Sequence, residues 1–111
     1  MLFRVCGVTA NIDDDVVQSF LNEDKFYKDS DADPDNTYDS VREALLADNY
    51  SILCDNDKYT LFGAKYKDKA EVVKIFMFEL LYKGDNEGPI HERSSHENSR
   101  VLKNFDKLML E

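Results

Sequence analysis

No stretch of the chain is apolar for long enough to cross a bilayer as a helix. That takes ~20 consecutive residues, and the densest apolar run, residues 72–82 (VVKIFMFELLY), has eleven, broken by Lys74 and Glu79. Such a run must be buried in protein. No basic segment followed by an apolar stretch opens the chain, so no signal peptide is read and a cytoplasmic location is expected. Cysteine is scarce: Cys6 and Cys54 are the only two, and both sit in apolar, strand-like runs. Two buried reduced thiols are expected there, rather than a disulfide. A glycine-rich phosphate loop is also missing. The nearest stretch, residues 84–88 (GDNEG), puts carboxylates where a phosphate needs N–H groups and cations. Finally, basic residues are almost absent from one quarter of the chain.

That last shortage organises the charge. Residues 1–12 carry only Arg4, a charge of +1. Residues 13–39 carry ten carboxylates against Lys25 and Lys28, a charge of −8. Residues 40–111 hold thirteen acids and eleven bases, a charge of −2, and the whole chain has −9. A domain so charged repels nucleic acid and anionic lipid and attracts a basic surface.

What is present suits a folded globule. The chain has 111 residues, 42% hydrophobic and 12% aromatic. That is one domain over residues 1–111, large enough to bury a core without metal or disulfide.

Residues 2–8 (LFRVCGV) read as a strand. Asp13, Asp14 and Asp15 then open a helix. Asp13 suits the cap, and the next two carboxylates favour the positive end of the helix dipole. Val16, Val17, Phe20 and Leu21 give that helix an apolar face, and its end is expected near Tyr27. Residues 28–36 (KDSDADPDN) read as a solvated loop. A second helix is expected over residues 37–48, starting at Thr37 or at Ser40, where Glu43 completes a capping-box spacing. Asn49 suits a left-handed stop. Residues 50–54 and 58–66 read as two strands joined by an Asp55-Asn56-Asp57 turn.

Residues 72–82 fit either a buried central strand or a helix, because periodicity cannot separate the two in a continuous run. Their β-branched and aromatic content, and the hairpin edge just before them, favour strand. Ser95–Met109 reads as a last helix, with Val101, Leu102, Phe105, Leu108 and Met109 on one face. The expected fold is α+β. It is an antiparallel sheet of about four strands, in the order β-α-α-β-β-β-α, with helices packed on it.

Several stretches imitate functional motifs. Asp29, Asp31 and Asp33 have the spacing of the first ligands of an EF-hand calcium loop. The sixth position is Pro34 where a glycine turn is needed, and the twelfth is Ser40 where a bidentate glutamate is needed. His91 to His96 (HERSSH) has one residue more than the zinc-protease H-E-x-x-H pattern. On a helix its two histidines would point about 140° apart, so they could not share one ion. Ser94 and Ser95 have no strand-turn-helix elbow to position them. No metal, cofactor or catalytic residue is therefore expected. The aromatics Phe20, Phe26, Tyr27 and Tyr38 interleave with the acids. As base-stacking platforms they would need a basic groove, and this one is negative.

The reading that follows is a non-catalytic, acidic inhibitor or neutralising protein. It binds no nucleic acid or membrane itself. Its partner is a basic protein, such as a nuclease toxin or a nucleic-acid-binding complex. The expected contact residues are Asp13, Asp14, Asp15, Glu23, Asp24, Tyr27, Asp29, Asp31, Asp33, Asp35, Tyr38 and Asp39, arranged as an acidic helix-loop-helix with tyrosine anchors. The alternative is an accessory subunit using the apolar run and the last helix as an interface, with Phe76 or Phe105 in the contact. A small enzyme using carboxylates or His91 and His96 ranks third.

Overall fold

The computed structural model describes residues 4–21, 27–29, 37–67, 70, 72–83 and 95–109. The chain runs β1 (Arg4–Thr9), α1 (Asp14–Leu21), β2 (Tyr27–Asp29), α2 (Tyr38–Ala47), β3 (Ser51–Asp55), β4 (Tyr59–Lys67), β5 (Lys74–Tyr82) and α3 (Ser95–Met109). All strand pairs are antiparallel, and the sheet order is β2-β1-β5-β4-β3. The fold is α+β. The apolar run is the strand β5, placed at the centre of the sheet between β1 and β4.

Each face of the sheet has its own core, which explains why β5 is apolar on both sides. On one face, Phe76, Phe78, Leu80 and Tyr82 of β5 pack with Val5, Phe20, Leu61, Val101 and Phe105. Here α1 and α3 lie together. The rings of Phe20 and Phe78 are 4.8 Å apart, those of Phe76 and Phe105 4.9 Å, and those of Phe78 and Phe105 5.4 Å. Such pairs add about 1 kcal/mol each beyond their buried area. On the other face, Leu81 packs with Phe62, Ala64, Tyr50 and Leu45, and α2 lies over them.

Gly63 lets α3 come close. A Cβ there would stand 2.5 Å from Leu53 Cδ1 and 2.7 Å from Phe105 Cε2. Edge strand β3 carries a bulge at Leu53, between the pairs Ile52 with Phe62 and Cys54 with Leu61. The Asn104 side chain on α3 donates to the Leu53 carbonyl at 2.9 Å.

The four expected strands form the antiparallel sheet, and Tyr27–Asp29, expected as a helix end and the start of a loop, adds a short edge strand against β1. Helix α1 is described over Asp14–Leu21, and Tyr27, where its end was expected, stands in a strand. Tyr27, Lys28 and Asp29 then pair with Cys6, Val5 and Arg4, which gives the outer edge of β1 a partner. Of the two possible starts for α2, Thr37 is the cap. Its side chain accepts from the Ser40 amide at 3.1 Å, and Ser40 Oγ accepts from the Thr37 amide at 3.0 Å. Asn49 does adopt the left-handed stop, with φ 65°.

Both cysteines are half-buried. They stand on β1 and β3, with β5 and β4 between them. Among the described residues, no helix is long and apolar enough to cross a membrane.

Candidate functional site

The acidic segment does not form a helix-loop-helix. It leaves the end of β1, runs through α1 on one face of the sheet, passes β2 at the edge, and enters α2 on the opposite face. Asp13 caps α1, accepting from the Val16 amide at 2.9 Å. Asp13 and Asp15 are exposed. They follow Thr9, which pairs with Phe76 near the β4–β5 turn. Asp39 is exposed in the first turn of α2. It stands beside Tyr38, whose hydroxyl bonds Thr60 at the other end of the sheet.

The described carboxylates of the segment thus lie on opposite faces and at opposite ends, joined around the β2 edge. Glu23, Asp24, Asp31, Asp33 and Asp35 lie outside the described residues, as do the side chains of Asp14, Tyr27 and Asp29. The EF-hand-like loop and His91 also fall mostly or wholly outside them. Among the described residues, no three His, Cys, Asp or Glu side chains come together as a metal site.

Tyr38 belongs to a polar network that fastens the start of α2. Its hydroxyl bonds Thr60 Oγ1, and Thr60, fully buried, donates to Asp55 Oδ1 at 3.0 Å. Lys83 Nζ reaches the same oxygen at 2.6 Å and lies 5.5 Å from the Tyr38 ring centroid. The Lys83 hydrogen bond holds the Asp55 carboxyl below its ordinary value, with Thr60 assisting against partial burial. Asp55 in turn raises Lys83. The Tyr38 hydroxyl is therefore engaged within the fold, and what Tyr38 can offer a partner is part of its ring.

Sequence reasoning missed the second polar cluster. Glu79 is the one carboxylate in the apolar run, and it is 3% exposed. It pairs in register with Cys6 on β1 and Phe62 on β4. Arg4 holds it, donating from Nε at 3.1 Å and from Nη2 at 2.7 Å. A buried carboxylate lacking such a fork would be several kcal/mol less stable.

Around this pair, burial pushes the Cys6 thiol up. The Glu79 charge adds to that shift and Arg4 opposes it. Tyr50 is raised in the same way, by burial first and by Glu79 second. Cys6 therefore stays a protonated thiol at neutral pH and is not an activated nucleophile. A signal for this cluster was available: a lone acid inside an apolar strand requires a cation, and Arg4 is the only base before residue 25.

No protein-family model, curated protein or solved structure matches the chain.

Proposed function

We propose that this protein is a non-catalytic inhibitor or neutralising protein that binds the basic face of a nucleic-acid-acting partner through the segment 13–39. The observation that carries this reading is the concentration of negative charge in that segment, ten carboxylates against two lysines, while residues 40–111 carry only −2. Of those carboxylates, Asp13, Asp14 and Asp15 start α1 on one face, Asp29 lies in the β2 edge strand, and Asp39 starts α2 on the other face. The contact surface is then a negative edge reaching onto both faces, with Asp13 and Asp15 at one extremity and Asp39 at the other. Such an edge suits insertion into a positive cleft that otherwise holds a nucleic-acid backbone. An immunity protein or antitoxin for a nuclease toxin would work this way, as would a phage-encoded DNA mimic acting on a host nuclease or defence complex.

Two features support a role without chemistry of its own. Glu79 is tied to Arg4, and the thiol of Cys6 is pushed up, so neither is poised for acid-base or nucleophilic work. The accessory-subunit reading needs Phe76 or Phe105 in a contact with another protein, and both are buried in the core.

Charge complementarity mainly steers encounter, and buried anchors set the off-rate. The test is affinity capture from lysate at two salt concentrations, followed by association kinetics with the captured protein. The on-rate should fall steeply between low and physiological ionic strength, where screening shortens to ~8 Å. Changing Asp29, Asp31, Asp33 and Asp35 together to Asn should weaken binding. A salt-insensitive on-rate, or unchanged affinity in that variant, would refute the reading.

A further inference from the structure

Among the described residues, the large apolar side chains most exposed to water are Val8, Leu46, Val72 and Val73. All four belong to one end of the sheet. Val8 pairs with Met77 near the end of β1, and Val72 and Val73 lead directly into β5. Leu46 is in the last turn of α2, which is tied to β4 by the Tyr66 hydroxyl donating to the Asp48 carbonyl at 3.1 Å. Val72 is 78% exposed and Val8 53%. Single exposed apolar residues need no explanation, but several gathered at one end mark a contact surface.

The β4–β5 hairpin also outruns its neighbours here. Pairing of β3 with β4 stops at Gly63, and pairing of β1 with β5 stops at Phe76. The ribbon continues to Lys67 and Lys74, which are both exposed and stand directly opposite one another. Like charges in that position repel. Asp13 and Asp15, also exposed, start α1 at this same end. One end of the molecule therefore carries apolar side chains, a cationic pair and an anionic pair.

We propose that this end is where two copies of the chain meet about a twofold axis. Val8, Val72 and Val73 of each copy cover those of the other, and Lys67 and Lys74 of each lie against Asp13 and Asp15 of the other. A twofold contact needs one patch complementary to itself, and this one holds both signs of charge around apolar residues. An anionic lipid surface or nucleic acid could use the lysines, but it would meet the two aspartates and a net charge of −9. At physiological salt, screening over ~8 Å is short against the 39 Å length of the molecule. The contact charges then decide the outcome, and the net repulsion does not.

The dimer covers Asp13 and Asp15 and therefore competes with a basic partner for them; the test needs the purified chain alone, so its failure and that of the inhibitor reading are separate results. Sedimentation velocity at physiological salt, from about 1 µM to about 1 mM, should show the mass rising from 12.9 kDa towards twice that value. Asp15→Lys alone and Lys74→Glu alone should each weaken the dimer at least ~10-fold. An equimolar mixture of these two variants should recover most of the affinity, because the reversed charges then face each other. Val72→Asp with Val73→Asp should also give monomer, with circular dichroism unchanged. A monomer at every concentration overturns the proposal. So does a dimer indifferent to these variants, or a mixture that fails to recover.

Discussion

Arg4 on β1 grips Glu79 on β5 through two hydrogen bonds, although 75 residues separate them in the chain. The Glu79 side chain is 4% exposed and that of Arg4 40%, so the pair is a buried anion with a cation at the water boundary. Removing only the cation should be the damaging change. Breaking a fully buried pair costs 3–5 kcal/mol, and water access at Arg4 lowers this. Arg4→Ala should therefore cost roughly 2–3 kcal/mol. The urea midpoint reads this loss. Arg4→Met combined with Glu79→Leu should be much less destabilised than Arg4→Ala, because no orphaned charge remains.

Gly63 is predicted to tolerate no side chain. Leu53 is held in a bulge and Phe105 is packed against two other rings, so neither can yield cheaply. Gly63→Ala should destabilise by about 1–3 kcal/mol, the usual range for overpacking. Thermal unfolding measures it. A stability equal to wild type would show that α3 can move away from the sheet.

The network at the start of α2 should be sensitive to acid. Asp55 is held below its ordinary value in the folded chain, so unfolding lets its affinity for protons rise. Its stabilising contribution is fully present above the ordinary carboxylate range. It is lost as pH falls through the lowered folded value. The Asp55 side chain is 43% exposed and that of Lys83 32%, so after screening the pair is worth only about 0.2–1 kcal/mol. Asp55→Asn should lower stability by that amount at neutral pH, and the difference from wild type should vanish in strong acid. Urea titrations at the two pH values supply the comparison.

Asn49 ends α2 with φ 65°, where a Cβ is tolerated best in Asn and Asp, and glycine is freest. Asn49→Ala should cost about 1 kcal/mol, whereas Asn49→Gly should be close to neutral. Equal effects from the two substitutions would argue that the Asn49 side chain, and not its backbone angle, matters.

Local chemistry was legible in the sequence wherever a residue acts on its own neighbours. Asp13 caps α1, Asn49 stops α2, and the Asn56 side chain accepts from the amides of Lys58 and Tyr59 to close the hairpin. The continuous apolar run resolved into a central strand because helices cover both faces of the sheet. What could not be read depends on distant partners. Three residues, Tyr27 to Asp29, are too few to show a period, and they become a strand only because β1 offers an edge. The separation of α1 and α2 onto opposite faces follows from that edge strand. It divides an expected helix-loop-helix between the two faces of the sheet, with an edge strand between its helices.

The place of β1 has a consequence for how the chain is made. Among the described strands β1 is made earliest, yet it sits between β2 and β5, and its long partner β5 begins only at Lys74. Until then β1 has at most a three-residue companion, and Glu79 has not been synthesised to receive Arg4. Pairings across such sequence distances are slow to close, on the order of milliseconds to seconds in comparable sheets. The nascent domain therefore completes its core late, when most of its length is already outside the tunnel.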